Sequence, residues 1–223
     1  MKKIGRWWIP QDDTLFTKHC INKESSYYGH NFQTKYITKI VKESNTRGNV
    51  IDAGANIGLF ATAFSKHFNK VFAFEPVPMN NECLISNTMG YHNIELFDCA
   101  LGSKQETVEM IGRLNNTGTF RIVEDPNERK GNVVYSKILV KPLDEFNFKK
   151  ISCIKIDCEG YEADILEGAE KTISTNKPVL CIEFMPIDKG GDIVTHNRTD
   201  RLLRKYGYKK IWTAHADSIY KVI

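Results

Sequence analysis

Two groups of residues in this chain have the types and spacing for chemistry. The first is Asp52-Ala53-Gly54-Ala55-Asn56-Ile57-Gly58, which sets two glycines, a carboxylate and a carboxamide side by side after the apolar Val50-Ile51. Glycine lets a ligand approach the backbone closely, and a helix opening near Gly58 would offer free N–H groups. Glu75 follows at about the 20-residue spacing at which an acid accepts the hydroxyl hydrogens of a ribose in dinucleotide folds. A Gly-x-Gly-x-x-Gly loop would need glycine at Asn56 and Leu59 as well, so the spacing departs from a dinucleotide fingerprint. A carboxylate and an amide carbonyl instead suit a ligand carrying an amine, which favours the methionine end of S-adenosylmethionine over NAD.

The second group is acidic. Asp157 and Glu159 follow the apolar run Cys153-Ile154-Lys155-Ile156, and Glu183 ends the run Val179-Leu180-Cys181-Ile182. In a parallel sheet the carboxyl ends of neighbouring strands form the rim where ligands bind. Carboxylates crowded there raise one another's pKa values. One of them could act as general base toward a hydroxyl, or a pair could hold a divalent cation, although no specific metal motif is present. Glu159 also suits the first turn of a helix beginning near Tyr161. His196, placed in a loop after Asp188-Lys189-Gly190-Gly191-Asp192, is a further candidate base.

The elements that must position these groups alternate. Apolar runs at 50–53, 71–74, 94–97, 153–156, 179–182, 208–213 and 218–222 read as seven strands. Helical periodicity covers 33–43, 57–68, 80–89 (closed by Gly90 in a left-handed conformation), 161–174 and 199–206. Strands alternating with helices imply right-handed crossovers and an α/β fold, a mostly parallel sheet with helices on both faces. Residues 103–141 break the rhythm and read as a β-rich insert, with β-type runs at 107–111 and 133–140 and a loop at 124–131. Residues 1–48 form an N-terminal helical or irregular extension, and 49–223 the main domain.

The residues Asp52–Gly58, Phe74-Glu75-Pro76, Ile154-Lys155-Ile156-Asp157-Cys158-Glu159-Gly160-Tyr161-Glu162 and Leu166-Glu167-Gly168-Ala169 resemble the FkbM-type methyltransferases. The Lys-Ile-Asp-x-Glu-Gly element is the specific part. The resemblance implies a Rossmann-like class I methyltransferase fold and methyl transfer from S-adenosylmethionine to a hydroxyl of a sugar, glycan or secondary metabolite. Carried over, Asp52, Gly54, Asn56 and Gly58 would line the methionine side, Glu75 the ribose and Asp98 the adenine. Methyl transfer draws most of its rate from in-line placement, so the absence of an obvious catalytic dyad does not count against it.

Composition excludes several classes. The 223 residues are 41% hydrophobic and 26% charged, ordinary globular usage. The net charge of +4 permits an anionic partner without arguing for nucleic acid. The basic stretch Arg198, Arg201, Arg204, Lys205 reads as a solvated face opposite Leu202 and Leu203. No Asn/Asp-Pro-Pro-aromatic element or Pro-Cys nucleophile of a DNA methyltransferase occurs. No uncharged run approaches the roughly 18 residues of a membrane helix, and no signal peptide is evident. Six scattered cysteines without a Cys-x-x-Cys pair point to free thiols and a cytoplasmic protein. The competing functions are a non-catalytic nucleotide-binding or scaffolding protein on the same fold and an NAD-type oxidoreductase.

Overall fold

The computed structural model describes residues 1–21, 30–123, 126–129, 133–184 and 192–223. A short hairpin, β1 (Lys2–Ile4) and β2 (Trp7–Ile9), precedes helices α1 (Thr14–Ile21) and α2 (His30–Glu43). Then come β3 (Asn49–Ala53), α3 (Leu59–Phe64), β4 (Val71–Phe74), α4 (Pro78–Thr88) and β5 (Ile94–Phe97). The insert holds β6 (Ala100–Leu101), β7 (Glu106–Arg113), β8 (Asn116–Ile122) and β9 (Val133–Lys141). The second half runs β10 (Ile151–Ile156), α5 (Glu162–Gly168), α6 (Glu170–Asn176), β11 (Val179–Glu183), α7 (Ile193–Lys205), β12 (Tyr208–Ala214) and β13 (Asp217–Val222).

The main sheet has seven strands in the order β12-β13-β11-β10-β3-β4-β5, with β13 antiparallel to both its neighbours. β3, β4, β5, β10 and β11 are parallel. The order reverses between β3 and β10, and such a switch point opens a crevice at the carboxyl ends of the strands. Strand alternation divides the core. Ile51, Phe72, Ile154 and Leu180 pack on one face against Ile165, Leu166, Ile173 and Leu203 of α5, α6 and α7. Val50, Cys153, Cys181 and Ile219 pack on the other against Tyr36 and Ile40 of α2, Phe64 of α3 and Leu84 of α4. The extension at 1–48 therefore supplies one helix of this second layer.

The insert is a separate four-stranded sheet, β6-β9-β7-β8. β8 was not legible as a strand, because Asn116-Thr117-Gly118-Thr119 reads as a turn. Half of the predicted loop at 124–131 lies outside the described residues; 126–129 forms a single 3-10 turn.

Several local expectations differ. The helix expected at 161–174 is broken into α5 and α6 at Gly168-Ala169. A Cβ at Gly168 would overlap the carbonyl oxygen of Gly102, so glycine lets α5 seat against the start of the insert. Asp144 then caps α6, accepting from Lys171 and Thr172 N–H at 2.8 Å each. The helix expected at 199–206 begins at Ile193, because Asp192 accepts from the N–H groups of Val194 and Thr195 and caps it. The helix expected at 57–68 is confined to Leu59–Phe64, with Phe68 held by a following turn. Gly90 does not take a left-handed conformation; α4 ends through Met89 in right-handed geometry.

The basic face of α7 is tied to acids. Arg198 donates to Asp164 and Glu167 of α5, Arg204 to Asp200 and Lys205 to Glu170. Cys83, Cys99, Cys153, Cys158 and Cys181 are free thiols, and the side chain of Cys20 lies outside the described residues. Among the described residues no helix is long and apolar enough to cross a membrane.

The close approach at Gly168 sets a test. Gly168→Ala forces backbone apart and should destabilise by at least about 2 kcal/mol in urea unfolding. Gly90→Ala, with open space around it and no positive φ, should change stability by less than about 1 kcal/mol. Equal effects of the two substitutions would contradict this packing.

Candidate active site

The carboxyl ends of β3, β4, β10 and β11 open onto a cavity of about 670 Å³, inside the roughly 300–1,000 Å³ range of ligand pockets. Gly54 sits at its floor with φ +80°, and a Cβ there would overlap the Asp157 carbonyl oxygen. Glycine is thus required for the β3 loop to cross the β10 loop, independently of any ligand. Asn56, also left-handed at φ 50°, turns its N–H toward Glu75 Oε2 at 2.8 Å. The Val77 N–H donates to Glu75 Oε1 at 2.9 Å. Burial pushes the Glu75 carboxyl up to about 7 against those two donors and the side chain of Asn80. Each oxygen keeps a lone pair for a ligand hydroxyl.

Beside the loop lies a ladder of charge. Alternation sets Val50 and Asp52, Cys153, Lys155 and Asp157, Cys181 and Glu183, and Asp217 on the α2/α3 side of the sheet. Lys155 is 2% exposed, and its ammonium lies 2.7 Å from Asp157 Oδ2. It also sits 4.5 Å from the centre of the Phe60 ring. Burial disfavours the Lys155 charge, but Asp157, Asp52 and Asp217 more than reverse that and hold the ammonium above its ordinary value. Burial likewise pushes Asp157 up, but Lys155 and a hydrogen bond from Glu183 outweigh it, so Asp157 stays below the usual carboxylate range. Glu183, half-buried and facing Asp157, is pushed up to about 10 by its withdrawal from water and by that carboxylate, so at neutral pH it holds a proton and donates it to Asp157. Glu159, half-buried near Asp157 and Glu162, rises to about 8 through partial withdrawal from water and those two carboxyls, with Arg121 of β8 acting against the shift.

Glu159 takes a left-handed φ of 52°, an uncommon conformation for a non-glycine residue and one that gathers at functional sites. It does not cap the following helix. Glu162, the first residue of α5, accepts from the Gly160 N–H of the preceding turn at 3.0 Å.

The opposite wall comes from the insert and the extension. Met110, Phe120 and Ile122 of the β7–β8 hairpin line it together with Leu15 and Phe16 of α1. Asp13 joins these two elements. Fully buried, it accepts from the Phe16 N–H at 2.6 Å and from the Thr117 N–H and hydroxyl at 2.8 Å each. Asn80 of α4 donates to the Thr117 carbonyl at 3.1 Å, which ties the wall back to the main domain.

Of the residues singled out by sequence, Gly54, Asn56, Glu75, Asp157, Glu159 and Glu183 line this one cavity. Asp52, Gly58, Asp98 and His196 do not. Asp52 is fully buried beneath the loop, on the Lys155 side of β3, and burial pushes it up to about 6. Gly58 caps α3 with φ 93° and packs against Leu84 and Thr88. Asp98 is exposed just beyond β5, while its neighbours Cys99 and Ala100 reach the cavity. His196 lies within α7 rather than a loop, its ring 5.0 Å from that of Phe184, and residues 188–191 lie outside the described residues. Lys155 and Asp217 were overlooked, although the period-2 alternation of their strands marks them as inward-facing charges. Asp13 and the β8 wall carried no comparable signal. Among the described residues no group of three or more His, Cys, Asp or Glu side chains is arranged to hold a metal ion.

The crowded acids fix the pH dependence of stability. A carboxyl raised on folding contributes stability below its unfolded pKa of about 4 and loses it as pH rises through the folded value. Those values are about 6 for Asp52 and Asp217, 7 for Glu75, 8 for Glu159 and 10 for Glu183. Asp157 runs the other way, its contribution lost as pH falls below the ordinary carboxylate range. The ligand-free protein should therefore unfold more easily at pH 9 than at pH 5, by at least about 2 kcal/mol in urea. Stability that rises over that interval would contradict the burial of these acids.

Comparison with known proteins places this architecture. Residues 52–210 match the Methyltransferase FkbM domain. Methyltransferase 1 of Beauveria bassiana is 26% identical over 145 residues, 54% of this chain and 58% of that protein. Methyltransferase sdnD of Sordaria araneosa is 25% identical over 197 residues, 68% of this chain and 76% of that protein. A crystal structure of methyltransferase FkbM from Methylobacillus flagellatus superposes with a TM-score of 0.53 at 23% identity, over 79% of this chain and 44% of that one. The chain thus spans little more than half of the first relative and under half of the crystallised protein. The likeness in structure establishes the Rossmann-like class I methyltransferase fold. Because the matched segment takes in the glycine loop, Glu75 and the acidic strand ends, the chain belongs to the FkbM methyltransferase family.

Proposed function

We propose that this chain is an S-adenosylmethionine-dependent O-methyltransferase acting on a hydroxyl of a sugar, glycan or secondary metabolite. The observation that carries the reading is the charge of the cavity. Asp157, ionised, and Glu75 and Glu159, which titrate at about 7 and 8, line it beside the protonated Glu183, and no lysine or arginine does among the described residues. Such a surface favours a cation and opposes the pyrophosphate of NAD. S-adenosylmethionine, when bound, supplies an electrophilic methyl group on a positively charged sulfur.

The residues present fit that donor. Asn56 Oδ1 is buried without a hydrogen-bond partner, an acceptor that an amine of the ligand would satisfy. Gly54 and Asn56 form the methionine side, with Asp52 and Gly58 shaping the loop from beneath. Glu75, oriented by two backbone N–H groups, takes the ribose hydroxyls, and Asp98 stands at the adenine end. Residues 1–48 act as the acceptor-side extension of the domain at 49–223, since Leu15 and Phe16 face the same cavity.

Proton transfer falls to Glu159. A general base works best with a pKa near the operating pH, and Glu159, at about 8, lies nearer to it than Asp157 or Glu183. Asp157 stays ionised, fixed by Lys155, and orients the acceptor hydroxyl. Glu183 keeps its proton on Asp157. His196 takes no part in this scheme. The free thiols fit a reducing, cytoplasmic setting.

A screen of sugars, glycans and polyols with isotopically labelled methyl donor tests this directly. Turnover on a hydroxyl acceptor should rise with pH through about 8, as Glu159 loses its proton. Glu159→Gln should lower turnover by about 10²-fold or more and flatten that limb. Methylation confined to amines or carbon, or wild-type turnover in the variant, would overturn the proposal.

A further inference from the structure

A relay of buried hydrogen bonds joins the floor of the cavity to its far wall by a route behind the lining. It starts at Glu75, whose carboxyl is held by the Asn56 and Val77 N–H groups and by the side chain of Asn80. The Asn80 amide also donates to the Thr117 carbonyl of β8 at 3.1 Å. Thr117 in turn gives its N–H and hydroxyl to Asp13 Oδ2 at 2.8 Å each. Asp13 Oδ1 accepts from the Phe16 N–H of α1 at 2.6 Å. Glu75, Asn80, Thr117 and Asp13 are between 0% and 4% exposed, and neither Asn80 nor Asp13 lines the cavity.

Two details give these links more than a packing role. Asn80 Oδ1 is buried without a hydrogen-bond partner, which costs free energy. Turning the amide over would satisfy neither Glu75 nor Thr117, so its orientation is kept for what the N–H groups reach on either side. Asp13 likewise does more than cap α1. One oxygen on the Phe16 N–H suffices for a cap, yet the other is spent on Thr117. The N–H groups of Thr14 and Leu15 meanwhile donate to the Asn115 carbonyl of the same hairpin at 3.2 Å each. α1 is therefore seated on the insert, and the insert is tied to α4 through Asn80.

We infer that Asn80 is a positioning residue: it aims Glu75 at the methyl donor and, through Thr117 and Asp13, couples donor binding to the seat of α1, whose Leu15 and Phe16 wall the acceptor side. This rests on the proposed assignment of Glu75 to the donor ribose. Coupling between two sites is reciprocal. A donor that fixes Glu75 steadies the wall, and loosening the wall at Asp13 weakens the donor.

Calorimetric titration of the full chain with S-adenosylhomocysteine reads the coupling in a double-mutant cycle of Asn80→Ala and Asp13→Asn. The amide of Asp13→Asn turns an N–H toward the Thr117 or the Phe16 N–H, so one of those links opens. Each single variant should lose about threefold or more in affinity, Asp13→Asn from outside the cavity. The double variant should lose less than the product of the two single losses, because both cut the same relay. Two merely structural roles would make the losses multiply. Where a variant shows no cooperative unfolding transition, Asn80→Ser takes the place of Asn80→Ala, and Thr117→Val, which removes only the hydroxyl bond, that of Asp13→Asn. Wild-type affinity in either single variant, or losses that multiply, overturns the inference alone. Failure of S-adenosylhomocysteine to bind the wild type overturns the donor assignment of Glu75 and the coupling with it.

Discussion

The ammonium of Lys155 is buried where the ends of four strands meet, and the arrangement of the site follows from how that charge is balanced. Asp52 approaches it from β3, Asp157 from the end of β10 and Asp217 from β13, with Glu183 of β11 joined through Asp157. Burying a lone lysine would cost several kcal/mol. Paired with one carboxylate it would be neutral and chemically inert. Here the acids outnumber it, so the excess must either keep protons or meet a cation. Withdrawal from water, reinforced by the neighbouring Asp157, raises the pKa values of Glu183 and Glu159, and the ionised Asp157 gives the rim its negative charge. The Phe60 ring and the stacked Tyr36 and Trp212 close the underside and keep the charges out of bulk water.

The β10 loop passes close against the β3 loop. Gly54 has no Cβ, and the backbone of Asp157 occupies that space. The Asp157 N–H donates to the Ala53 carbonyl at 3.1 Å, which brings the acid to the mouth of the glycine loop. The second wall is assembled differently, from the insert and α1, and is held by Asp13 rather than by the sheet. The rim of the sheet and the wall of appended elements are thus held by separate interactions.

The sheet was legible because its strands are apolar, short and bounded by glycine, proline or acid, so β4 and β5 appear where the apolar runs at 71–74 and 94–97 place them. Glu75, Asp157 and Glu183 could be found because each follows such a run. Helix limits were less accessible. Their causes are tertiary: the Gly168 contact with Gly102, and the Asp192 cap that draws His196 into α7. β8 and Asp13 stayed hidden because a polar edge strand has no apolar period and a buried aspartate is known only by its partners. Asp52 has the composition of a ligand group, yet alternation turns it into the core beside Lys155. Only the register of β3 against β10 reveals that.

The central claim is that the acid-lined cavity binds a cationic sulfonium through Glu75 and the Gly54 loop. Calorimetric titration with S-adenosylmethionine and with NAD, on the wild type and on Glu75→Gln, addresses it most directly. The amide of the variant places N–H where the Asn56 or Val77 N–H already points, and two such groups cannot both donate to it. The account predicts binding of S-adenosylmethionine and not of NAD by the wild type, with affinity at least tenfold lower in a Glu75→Gln protein that remains folded. Binding of NAD in preference to S-adenosylmethionine, or equal affinity of the two proteins for S-adenosylmethionine, would contradict it.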